Sequence, residues 1–197
     1  MKVQIFGQRE LETWIREGGD TCSHLLSIVN PEAARLRTGE EARMPPLFRK
    51  HFQKICRFRY YDVESKDQLN VNQKKRIPEK RDVHRAINFF RRTCKKADGY
   101  TIHCWRGISR SAGMALGYLY LIHGDEERAA KELLKIRPLA VPHRGTVRFF
   151  DEILGSHLLP YAEYFYQRSL EGMKAAFMKE IENGDALLEE LESLDEA

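Results

Sequence analysis

Short apolar runs alternate with helix-length segments along the first half of the chain. Three runs have the length and composition of strands, at residues 2–6, 24–29 and 56–61. The segment after Gly7 has the spacing of a helix that ends near Gly18, and residues 46–54 favour a second helix. This β-α-β order predicts a sheet with helices packed on it.

A longer amphipathic helix is predicted after the polar loop ESKDQLNVNQKKRIPEKR, which lacks apolar periodicity. Apolar side chains then recur at helical spacing, at Val83, Ile87, Phe90 and Cys94. We expect Asp82 to be the N-cap of this helix and Gly99 to terminate it.

The centre of the chain predicts a buried strand followed directly by a buried helix. Residues 100–103 have the pattern of the strand, and residues 111–123 are apolar almost all round. Two further helices are expected at about 125–136 and 145–154. Strands that give way to helices predict an α/β fold, with a partly parallel central sheet flanked by helices.

The chain divides into two predicted parts. Residues 1–159 form the predicted domain, and residues 160–197 form a helical extension that becomes acidic after Lys179. The leucines of its last segment, ALLEELESLDEA, have helical spacing, which fits a solvated helix as well as one that docks on the domain or on a partner.

Composition is ordinary for a globular protein, with 197 residues, 42% of them hydrophobic and 31% charged. The net charge of +4 favours anionic partners without choosing among phosphoproteins, lipids and nucleic acids. No apolar stretch is long enough for a signal peptide or a membrane span, so we expect a cytoplasmic protein without membrane insertion. The four cysteines form no CxxC pair and the histidines no HExxH, so no metal and no cofactor are predicted.

The candidate chemistry lies in HCWRGISRS, residues 103–111, between the predicted buried strand and buried helix. Backbone N–H groups of a tight loop and of a helix N-terminus form a cradle for a tetrahedral oxyanion. Gly107 allows close backbone approach, and Arg110 can hold two phosphate oxygens with its planar fork. The same positive field stabilises a thiolate, so Cys104 is the predicted nucleophile and Ser111 can hydrogen-bond it as it leaves.

This loop resembles the signature H-C-x-x-G-x-x-R-[ST] of the cysteine-dependent protein tyrosine phosphatase superfamily. The surroundings, from about Cys56 to Leu158, resemble its compact dual-specificity and small microbial branch. The resemblance implies a dual-specificity-phosphatase-like fold and a loop that binds a phosphate or sulfate anion. The phosphate-binding residues implied are Trp105, Arg106, Gly107, Ile108, Ser109 and Arg110, with His103 in support. The chain has no WPD triplet, and it has Pro142-His143 where that branch often has Pro-Asn.

A general acid must protonate the leaving oxygen, and relatives use an aspartate upstream of the signature loop. Asp62, at the end of a predicted strand, has the best placement for this role. Asp82 and Asp67 remain alternatives on placement alone.

These residues predict a metal-independent phosphatase that acts on phosphotyrosine in proteins, with phosphoserine and phosphothreonine left open. Arg106 and the basic loop before Asp82 also fit a phosphatase for RNA 5′-phosphates or phosphoinositides, although we expect no nucleic-acid partner. A phosphate-binding module without turnover is the third reading, which would hold if no aspartate reached the leaving group.

Overall fold

The computed structural model describes residues 1–30, 44–63, 77–173 and 175. The strands are β1 (Lys2–Gly7), β2 (His24–Val29), β3 (Lys54–Arg59) and β4 (Gly99–Cys104). The helices are α1 (Gln8–Arg16), α2 (Pro46–His51), α3 (Lys80–Thr93), α4 (Arg110–His123), α5 (Glu126–Ile136) and α6 (Arg144–Leu154). A further helix, α7, covers residues 159–173.

The strands form one sheet in the order β1-β4-β2-β3. Every pairing among the described strands is parallel, which confirms the predicted α/β sheet. The sequence predicted a partly parallel sheet, whereas the described part of the sheet is parallel throughout. Parallel strands end at the same edge of a sheet, and ligands of such folds bind beyond that edge. The segments that follow β1, β2, β3 and β4 therefore meet on one side of the molecule.

Helices cover both faces of this sheet. Helix α4 lies in the main core, and every residue from Arg110 to Leu119 is buried. Ala162 and Phe165 of α7 pack into the same core, so α7 is attached to the rest of the fold from its first turns. A smaller apolar cluster lies under α1 and α2. No helix in the described ranges is long and apolar enough to cross a membrane.

Two expectations about the boundaries of α3 are wrong. Its N-cap is Glu79, and Asp82 is the third helical residue, whose Oδ2 accepts the backbone N–H of Glu79 at 3.1 Å in a capping box. The helix ends at Thr93, and Gly99 is the first residue of β4. A Cβ at Gly99 would lie 2.2 Å from the carbonyl oxygen of Lys2, so glycine is required there for close packing against β1.

Candidate active site

The loop between β4 and α4 packs tightly on the end of β1. Gly107 has φ +72°, and a Cβ there would lie 2.5 Å from backbone atoms of both Phe6 and Gly7. The backbone N–H of Gln8 donates to the carbonyl of Trp105 at 3.1 Å. Glycine is therefore required at position 107 both for the left-handed conformation and for the contact with β1.

Arg110 is buried beneath this loop, with 2% of its surface exposed. Its Nη1 donates to Oδ1 of Asn30 at 2.6 Å and to the carbonyl of Tyr60 at 2.9 Å. These two acceptors follow β2 and β3, so neighbouring strand ends hold the guanidinium. Its Nε finds no hydrogen-bond partner among the described residues. A buried cation with an unused N–H suits an anionic ligand.

Cys104 and Ser111 face each other at the start of α4. Cys104 is the last residue of β4 and is 1% exposed, and its Sγ lies 3.2 Å from Oγ of the fully buried Ser111. This distance allows the Ser111 hydroxyl to donate to a thiolate. The dipole of α4 and the charge of Arg110 also favour negative charge at this end of the helix.

Asp62 contacts the loop from the segment after β3. Its Oδ1 accepts the hydroxyl of Ser109 at 2.7 Å, and its Oδ2 lies 3.7 Å from Nε of Arg110. The side chain is 42% exposed, so it is open to solvent on one side. This position is suited to a group that exchanges protons with a substrate and with water.

The other two candidate acids differ from Asp62 in their placement. Asp82 lies in the first turn of α3, where burial raises its pKa and the capping bond from Glu79 occupies Oδ2. Asp67 lies outside the described residues. Of the three aspartates, Asp62 is the one whose described contacts include the loop.

His103 lies in β4, directly before the nucleophile. It is fully buried, its Nε2 lies 2.8 Å from Oγ of Ser27 on β2, and its ring packs edge-on against Phe48 with centroids 5.1 Å apart. Burial, with smaller contributions from the charges of Arg110 and Arg57, lowers the pKa of His103 to about 3. The imidazole is therefore neutral and supports the strand end from within the sheet.

The outer side of the loop is fastened by contacts with later segments. The carbonyl of Arg106 accepts Nη2 of Arg137 at 3.2 Å, and that of Ile108 accepts the N–H of Val141 at 2.9 Å. The Arg106 side chain is exposed, and the half-buried Trp105 lies under the guanidinium of Arg9, 5.7 Å from the ring centroid. The two backbone carbonyls thus tie the loop to the segment between α5 and α6.

Comparisons with known proteins give the fold. No family model matches the chain. Protein phosphatase Slingshot homolog 3 of Mus musculus is 31% identical over 93 residues, which are 47% of this chain and 13% of that protein. The solved structure of Tk-PTP in its active form is 16% identical, with a TM-score of 0.51 over 81% of this chain and 92% of that one. PTPMT1 is 15% identical, with a TM-score of 0.51 over 86% and 95%.

The chain has the fold of these two solved structures, Tk-PTP and PTPMT1. The resemblance predicted from HCWRGISRS is thus confirmed for the fold. In this phosphatase fold the described residues hold no group of three or more His, Cys, Asp or Glu side chains that could bind a metal ion.

Sequence reasoning missed three groups at the site. Asn30 and the carbonyl of Tyr60 hold Arg110, and His143 donates to the carbonyl of Val63, beside Asp62. Asn30 directly follows β2, and a side-chain acceptor directly after a buried strand is a signal that the sequence contains. Its partner could not be named, because the sequence does not reveal that β2 lies next to β4 in the phosphatase sheet.

Proposed function

We propose that this protein is a metal-independent phosphatase that hydrolyses phosphotyrosine in protein substrates through a phosphocysteine intermediate. One observation carries the proposal: Cys104 and Arg110 stand at the two ends of one loop, and Asp62 contacts that loop from the segment after β3. A loop with a nucleophile, a buried guanidinium and a carboxyl group has each part that phosphate ester cleavage requires. The likeness to a protein phosphatase over 93 residues supports the same activity.

In the first step, the thiolate of Cys104 attacks phosphorus and forms the S–P bond while the P–O bond to tyrosine breaks. Arg110 and the backbone N–H groups of the loop stabilise the charge on the equatorial oxygens. Protonated Asp62 gives its proton to the phenolic oxygen. A tyrosine leaving group, with a pKa near 10, depends strongly on this proton.

In the second step, water attacks the phosphocysteine. Ionised Asp62 takes the proton from that water, and the S–P bond breaks to release phosphate and the Cys104 thiolate. Ser111, 3.2 Å from Sγ, donates a hydrogen bond to the departing thiolate. Asp62 ends the cycle protonated, ready for the next substrate.

The intermediate itself provides the test. Wild type mixed with a phosphotyrosine peptide carrying labelled phosphate, then quenched with denaturant, should contain label on the peptide of Cys104. Ser111→Ala should hold more label, because losing one donor to developing charge slows breakdown by roughly a hundredfold. Peptide mapping by mass spectrometry locates the label.

Cys94→Ser is the matched control for Cys104→Ser, because Cys94 is a half-buried cysteine outside the site. It should keep the label, and Cys104→Ser should lose it. No label in wild type or Ser111→Ala, despite phosphate release, would contradict the covalent mechanism. Peptides with phosphoserine or phosphothreonine, an RNA 5′-phosphate and a phosphoinositide complete the substrate panel, and turnover of only the last two would replace protein as the substrate class.

A further inference from the structure

His143 is a buried histidine that the mechanism above does not use. It follows Pro142, directly precedes α6, and is 2% exposed. A buried imidazole that served only for packing would leave both of its polar nitrogens without hydrogen-bond partners. Both nitrogens of His143 have partners, and the partners lie on different segments.

The partners assign a hydrogen-bonding role to each ring nitrogen. Nδ1 accepts the backbone N–H of Thr146 at 3.2 Å, as the N-cap of α6, so Nδ1 carries no proton. Nε2 lies 3.0 Å from the carbonyl oxygen of Val63, which can only accept, so Nε2 carries the proton. His143 therefore caps α6 with Nδ1 and donates to the carbonyl of Val63 with Nε2.

Val63 is the residue directly after Asp62, so this bond fixes the backbone beside the carboxyl group. A second connection runs through the backbone: the N–H of His143 donates to the carbonyl of Ser109 at 3.2 Å, and the Ser109 hydroxyl donates to Asp62 at 2.7 Å. His143 thus contacts both the segment that carries Asp62 and the loop that carries Cys104. It can set the distance between them.

We propose that His143 is a positioning residue that holds the Asp62 carboxyl over the phosphate-binding loop. This inference rests on the proposed function, since it assigns the support of its general acid. Proton transfer requires the acid within hydrogen-bond reach of the leaving oxygen, so a loosened 62–63 segment lowers the rate when the leaving group needs protonation. It lowers the rate far less when the leaving group departs unprotonated.

The test compares His143→Asn with wild type on two substrates. Asparagine places its carboxamide oxygen near the position of Nδ1 and keeps the cap, but it has no atom at the position of Nε2. With a phosphotyrosine peptide, kcat should fall about tenfold or more, while with p-nitrophenyl phosphate it should fall less than about threefold, as expected when proton donation alone is impaired. His143→Ala should show the same split with an added loss of stability.

Two further measurements separate positioning from general damage. In an Asp62→Asn background, adding His143→Asn should cause no further loss with the peptide, because the two changes impair the same proton transfer. Inhibition by inorganic phosphate should be unchanged in His143→Asn. Equal losses with both substrates, or an additive loss in the Asp62→Asn background, would overturn this inference alone. Absence of Cys104-dependent turnover by wild type would overturn the proposed function and, with it, the reaction that His143 serves.

Discussion

Burying Arg110 has an electrostatic cost, because a guanidinium loses most of its hydration when it is buried. The structure offsets this cost with an amide oxygen from Asn30 and a carbonyl from Tyr60, both on Nη1. Anchoring on one side leaves the fork oriented for a ligand on the other. Lysine could not reproduce this arrangement, because an ammonium group lacks the planar fork.

His103 carries a pH-dependent contribution to stability. Its pKa is lowered by burial from 6.5 to about 3, so between these values the unfolded chain binds a proton that the folded chain does not. The free energy of unfolding from this group therefore falls as the pH drops below 6.5, by up to about 1.4 kcal/mol per pH unit. Urea unfolding of wild type at several pH values between about 4 and 6.5 measures this slope.

His103→Gln is the control for that slope, because glutamine can still hydrogen-bond Ser27 on β2 but does not titrate. The free energy of unfolding of His103→Gln should fall less steeply as the pH drops. The difference in slope should be that of one proton, up to about 1.4 kcal/mol per pH unit. The same slope in both proteins would contradict a neutral, buried His103. The exposed carboxylates contribute equally to the two proteins and cancel in the comparison.

The segment that runs from β4 through the loop into α4 is the part of the structure that the sequence predicted best. Its signals are local: a short apolar strand, one glycine, one arginine and an apolar helix follow each other within residues 99–123. Asp62 was harder to choose over Asp82, because both lie near the ends of elements whose spatial neighbours the sequence does not give. The error in assigning Asp82 as N-cap arose because Glu79 and Asp82 together form a capping box.

Gly107→Ala tests how the loop depends on contact with β1, and Gly124→Ala is its matched control. Both glycines have positive φ, so both substitutions incur the left-handed penalty of about 1–2 kcal/mol. A Cβ at Gly124 meets nothing within 4 Å, whereas at Gly107 it meets the backbone of Phe6 and Gly7. We expect Gly107→Ala to lose more unfolding free energy and to bind inorganic phosphate more weakly.

Denaturant unfolding and inhibition by phosphate provide these two readouts. Gly124→Ala should lose stability yet retain the phosphate affinity of wild type, since it lies at the far end of α4. Similar losses in both variants, with phosphate affinity unchanged, would contradict the view that close packing on β1 shapes the loop.

At the scale of the whole molecule, the site exists because the four strands of the described residues are parallel and end at one edge of the sheet. Asn30 follows β2, Tyr60 and Asp62 follow β3, and Cys104 is the last residue of β4. The sequence predicted the strands and the α/β class, because alternation and composition are local properties. It could not predict the order β1-β4-β2-β3, since pairing depends on contacts between distant segments. The contacts that hold Arg110 depend on that order, because they come from the ends of β2 and β3.

Phosphate release from a phosphotyrosine peptide, measured in EDTA at mildly acidic pH, tests the central claim most directly. Wild type and Cys94→Ser should release phosphate, and Cys104→Ser should release none. Asp62→Asn should be slower by about 10²–10⁴-fold, the range for loss of general acid catalysis. Asp82→Asn should stay within about threefold of wild type, because its described contacts are with the start of α3. Phosphate release by Cys104→Ser would contradict the account, and so would a loss of phosphate release from wild type when EDTA is added. A defect in Asp82→Asn alone would show that Asp62 is not the general acid.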